Sequence, residues 1–167
     1  MAYFFQPSLS GLLVQALGAL AMAALAIALY RTMPRAALKY WAIGWSTLCV
    51  SLAALYVASY VAPTANPTAD PRTLVYLGHA LYLLGEYVFG YLVIAGCRAY
   101  AGVGGPPRSE RWLIVPAAAW CFWLAKWAGG NINLLFAVHT LVYPYLFFSA
   151  LRVLRAARPS QDRKSVV

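Results

Sequence analysis

From Thr73 to Cys97 the chain reads TLVYLGHALYLLGEYVFGYLVIAGC. About 20 apolar residues cross the hydrocarbon core of a bilayer, and this stretch is longer than that. It also carries His79 and Glu86. An ionisable side chain at membrane depth is costly and marks a functional site by default. Composition agrees with a membrane setting: 63% of the 167 residues are apolar and only 10% charged, against about 25% charged in a soluble domain. Mean hydropathy is +0.67. The fold class expected is all-α: a polytopic transmembrane bundle over residues 1–157, followed by a cytoplasmic basic tail over 158–167.

Five apolar segments are legible as helices: Leu9–Tyr30, Tyr40–Ala62, Thr73–Cys97, Trp112–Ala128 and Ile132–Leu154. The connectors are short and carry Pro, Gly, Asn and Asp, as turns do. The N-terminus MAYFFQPSLS lacks a positive n-region, so the first segment reads as a retained span and not as a cleaved leader. Eleven of the thirteen Lys and Arg lie after helices 1 and 3 or at and after the end of helix 5; the other two are Arg72 and Lys126. Positive loops stay in the cytoplasm, which places the N-terminus outside and the C-terminus inside. The net charge of +9 therefore reports topology and attraction to anionic lipid, and nucleic acid is not expected as a partner. Tyr30, Tyr40 and Trp41 fall at the inner boundary, and Tyr56, Tyr60 and Trp127 near the outer one, as interfacial belts do. Helix 1 is rich in Ala and Gly, so it is expected to pack at the centre of the monomer or to form a homodimer face.

Depth follows from the rise of about 1.5 Å per residue. His79 and His139 both lie about 9–10 Å below the outer ends of their helices by that count. Gln15 and Tyr56 fall at a similar level. These four are expected to form one polar layer that binds a small apolar ligand. Glu86, a further ligand-binding candidate, is about 20 Å down, near the midplane, and needs a hydrogen-bonding partner there; Thr47 and Tyr143 are near it in depth. It stands two helical turns from His79, and Tyr82 is the one polar side chain between them able to relay a contact. Lys126 is placed to snorkel. Pro144 interrupts the fifth helix and is a candidate hinge. Each residue also has a plain structural account, as an interhelical hydrogen bond or as packing.

Cys49, Cys97 and Cys121 sit in apolar segments without metal-ligand spacing. No nucleophile elbow, phosphate loop, metalloprotease motif or carboxylate pair is present, so no enzymatic role is expected of these residues. No cofactor is required by the sequence; the alternative is haem b or quinone held by His79 and His139, in which case those two would be ligands.

Three pieces of sequence stand together: Tyr30-Arg31 with the basic loop after it, Lys39-Tyr40-Trp41-Ala42-Ile43-Gly44-Trp45, and Leu77-Gly78-His79-Ala80-Leu81 leading to Ala95-Gly96-Cys97-Arg98-Ala99-Tyr100-Ala101-Gly102. Over residues 20–102 this resembles the N-terminal multi-span sensor regions of bacterial diguanylate cyclases and sensor histidine kinases. His79 departs from that pattern, which commonly has Asn there. The resemblance implies a sensing domain of the bacterial inner membrane, signalling through helix 5 to a cytoplasmic partner or to an effector module beyond Val167. The alternatives are a membrane redox subunit around His79 and His139, and a small proton-coupled transporter using Glu86.

Overall fold

The computed structural model describes residues 9–61, 71–105, 114–127, 144 and 147–155. Among these there is no strand. Helix α1 runs Leu9–Thr32, α2 Ala36–Tyr56, α3 Pro71–Tyr100 and α4 Ile114–Trp127. The end of α2 winds into a π-helical turn, Val57–Val61. Residues 147–155 are also helical.

Local chemistry sets several of these limits. Pro34 has no N–H and disfavours helical backbone at Met33, and α1 ends at Thr32. Arg35 is then extended, with φ −92° and ψ 141°, before α2 turns back. At the far end of α3, Gly102 takes φ +72°. Its N–H donates to the Ala99 carbonyl (3.3 Å) and that of Val103 to the Arg98 carbonyl (3.0 Å). This pair of bonds is a Schellman closure, which needs a left-handed residue that glycine adopts without strain.

Among the described residues, three helices are long and apolar enough to cross a membrane: Ser10–Thr32, Ala36–Val61 and Thr73–Tyr100. Helix α4 has 14 residues, which is about 21 Å of rise against a core of about 30 Å. The segment expected as a fifth span lies outside the described residues from 132 to 143.

The helices pack in chain order, α1 on α2, α2 on α3 and α3 on α4. The α2–α3 seam is the closest. A Cβ placed on Gly78 would overlap the side chain of Ala58, and one on Gly85 would overlap Ser51. Gly44 meets Leu92 in turn, with 3.3 Å between an added Cβ and the Leu92 Cβ. At the inner end, a Cβ on Gly96 would overlap the indole of Trp41, which donates to the Val93 carbonyl at 3.3 Å. The contacts therefore step by seven residues along both helices, 44–51–58 against 92–85–78. A seven-residue step is two helical turns, so the seam stays facing its partner over the whole length.

Of the two places expected for α1, the centre of the monomer or a homodimer face, the centre is not the one it takes among the described helices. Only 22% of its span is buried, against 39% for α2 and 50% for α3. Ala19, Ala23 and Ala26 are buried, but on a single stripe against α2. Small side chains permit close approach on the face they occupy; they do not surround the helix. Helix α3 takes the central position.

The seam yields a test. Gly85→Ala should destabilise the protein by about 1–3 kcal/mol, the usual range for overpacking, read as a lower melting temperature in detergent. Ser51→Gly in the same chain removes the atoms in the way and should restore most of the loss. A Gly85→Ala protein that melts like the parent would refute the close seam.

Candidate functional site

Two ionisable groups of α3 lie just off the seam, and both are buried: His79 at 5% exposure and Glu86 at 8%. They sit on the flank of α3 next to the glycines. Seam geometry puts them there, because each directly follows a glycine of the close contact (Gly78, Gly85) and is turned about 100° from it.

The His79 ring is fixed by its own helix. Nδ1 lies 2.7 Å from the Val75 carbonyl. A carbonyl only accepts, so Nδ1 carries the proton and Nε2 presents its lone pair. Nε2 is buried and has no hydrogen-bond partner among the described residues. Beside it, Gly78 packs on Ala58, which belongs to the π-helical turn of α2. Such turns are frequent at functional sites. An unpartnered buried acceptor and a π turn thus coincide at one level of the bundle.

Glu86 is differently placed. Tyr82, one turn earlier, donates its hydroxyl to the Glu86 carboxyl within the buried interior. Helical side chains lean towards the N-terminus, so Glu86 reaches back over that turn. Cys121 of α4 and Tyr87 are its electrostatic neighbours, and the Trp120 indole reaches the Tyr87 hydroxyl. The α3–α4 contact is therefore polar as well as apolar. Tyr82 is the residue that stands between His79 and Glu86, and it is engaged on the Glu86 side. His79 and Glu86 are two sites.

The expected polar layer is not assembled by the described residues. Tyr56 shares a level with His79, since Ala58 faces Gly78, but its side chain is 37% exposed and stacks on Tyr60 at 5.6 Å. It lines a cavity of about 290 Å³ between α1 and α2, with Leu12, Ala16, Cys49 and Leu52. Gln15 is exposed on α1. Depth along a helix carries no information about which way a side chain points, and both corrections follow from that. Thr47, level with the Glu86 region, donates to its own Ile43 carbonyl at 2.9 Å. Lys126 and Pro144 are exposed. His139 and Tyr143 lie outside the described residues.

Two features escaped the sequence reading. The small residues on α2 and α3 recur at a spacing of seven, a pattern legible in the sequence. The π turn has no comparable signature in the sequence. On α4, Trp120, Trp123 and Trp127 stack in a row, with centroids 5.2 and 5.8 Å apart, as their i, i+3, i+7 spacing allows. Among the described residues no group of three or more His, Cys, Asp or Glu could hold a metal ion.

Removing either partner of the Tyr82–Glu86 bond takes a buried hydrogen bond from the other, a loss of about 0.5–1.5 kcal/mol. Tyr82→Phe and Glu86→Leu should each lower thermal stability by that order. The double variant should lose clearly less than the sum, because one shared bond can be lost only once; additive losses would show that the two side chains do not depend on each other. Comparison of the chain with family models, with curated proteins and with solved structures finds no match.

Proposed function

We propose that this chain is a sensing domain of the bacterial inner membrane, with five spans, the N-terminus outside, the C-terminus in the cytoplasm, and His79 as the group that meets the stimulus. The topology is supported by three helices of crossing length and by eleven of thirteen cationic residues on one side. A reporter fused at the N-terminus should be active only outside the inner membrane, and one fused at the C-terminus only inside. The reverse pattern would refute the orientation.

One observation carries the sensing reading: the buried, unpartnered Nε2 of His79 beside the π turn. An acceptor left in that condition costs about 1–3 kcal/mol. A small molecule or a helix arrangement that brings a donor to Nε2 recovers part of that cost. If the donor reaches it in one arrangement of the bundle and not in another, the population shifts between them. The cytoplasmic end is supplied by the last helix. Pro144 is helical and exposed, and residues 147–155 are helical with Arg152 and Arg155 exposed. Proline removes a backbone bond, so Pro144 is the hinge by which this end of the chain would move and reach a cytoplasmic signalling partner.

A second reading, a haem or quinone subunit, is favoured by the same ring. Imidazoles that ligate metal commonly donate the other ring N–H to a backbone carbonyl, which is what Nδ1 does with Val75. A Soret band in the purified protein that disappears in His79→Ala would decide for haem.

The sensing proposal is tested on the full chain in lipid nanodiscs by hydrogen exchange. His79→Phe removes the acceptor and keeps a ring. It should change exchange rates over 147–155 by about fivefold or more, the lower end of ordinary coupling between sites. Leu81→Ala, an exposed position on the same helix, should leave them unchanged. Equal exchange in the parent and His79→Phe would sink the proposal.

A further inference from the structure

Helix α1 carries two stripes side by side. One consists of Leu12, Ala16, Ala19, Ala23 and Ala26, and it is turned towards α2: four of these are buried and Ala16 is partly so. The other is one residue out of step: Gly11, Gln15, Gly18, Met22 and Leu25, all exposed, then Leu29. Both stripes alternate steps of four and three, the spacing of a helix–helix seam. The first seam is filled by α2.

We propose that the second stripe is a seam between two copies of this chain, with the Gln15 side-chain amides hydrogen-bonded to each other across a two-fold axis. Gln15 lies about 9 Å along α1 from Leu9 by helical rise, within the apolar span Ser10–Thr32. Its amide offers two donors and an acceptor, and it is exposed on the outer face of the helix. Lipid tails satisfy none of those groups. A second copy satisfies both kinds at once, because a carboxamide is complementary to itself and a two-fold axis brings like residues together. Polar side chains of this type join helices in membranes. The space is present as well. Gly11 and Gly18 lie one turn before and after Gln15, and a Cβ on Gly18 would meet nothing within 4 Å. Two parallel α1 helices can therefore approach closely at the level of the amides, with Met22, Leu25 and Leu29 closing the seam below. This pairing does not rest on the sensing role of His79, which lies on α3.

The test is energy transfer between donor- and acceptor-labelled full chains in liposomes as protein is diluted into lipid. The parent should show transfer above the random-proximity level. Gln15→Leu should weaken association about tenfold, the effect of one to two interhelical hydrogen bonds. Gly18→Leu should abolish it, while melting like the parent in detergent, since the single chain has room for the added side chain. Leu17→Ala lies two residues from Gln15, on the opposite side of the helix, and should change nothing. Transfer at the random level for the parent, or association indifferent to both Gln15→Leu and Gly18→Leu, would overturn the proposal. Association lost in Leu17→Ala but kept in Gln15→Leu would place the contact on another face and overturn it equally.

Discussion

Hydrocarbon does not drive helices together, because lipid tails are as apolar as the side chains they would replace. What holds α2 and α3 is close range: Gly78 on Ala58, Gly85 on Ser51, Gly44 against Leu92. Dispersion falls steeply with distance, and a gap of even half an ångström forfeits much of it. Three small-residue contacts in register, seven residues apart, let two long helices touch along their axes. The rest of the described bundle is arranged by that contact. It makes α3 the most enclosed helix, it fixes which flank His79 and Glu86 occupy, and it brings the π turn of α2 to the level of His79.

The same seam explains why the two ionisable groups of α3 behave differently although they share a flank. At the Glu86 level the neighbours are Tyr82, Tyr87 and Cys121, and the carboxyl has a donor inside its own helix. At the His79 level the neighbours across the seam are Ala58 and the π turn, and the one bond the ring makes is to its own backbone. One group is satisfied by the helix that carries it. The other leaves an atom for something else.

Depth and period were readable in the sequence because helix geometry is fixed. The rise per residue put Tyr56 level with His79, and Ala58 facing Gly78 agrees with that. It put Glu86 two turns below, with Tyr82 between, and Tyr82 does engage Glu86. Direction around the axis was not readable from depth, and so Gln15 and Tyr56 were grouped with a histidine from which they turn away. The alanines of α1 were read as the mark of a central helix, yet a small side chain reports only that one face is close to something. A count of small residues on α2 and α3 at intervals of seven would have found the tighter contact.

Among the described helices, α2 lies between α1 and α3. It meets α1 through one face and α3 through the other, so any mechanical link between the outward stripe of α1 and His79 among these residues passes through it. Its outer end is also where regular hydrogen bonding gives way to the π turn Val57–Val61. A π turn fits one more residue into the helix than the α-helical pattern holds, and its bonds span five residues instead of four. The Ala58 contact with Gly78 therefore depends on how that turn is wound, and so does the Tyr56–Tyr60 stack on the side away from α3. Rewinding it to α-helix would move both together. Packed helix contacts change between discrete arrangements and do not deform continuously, and this turn is where the backbone bonding of α2 departs from the α-helical pattern.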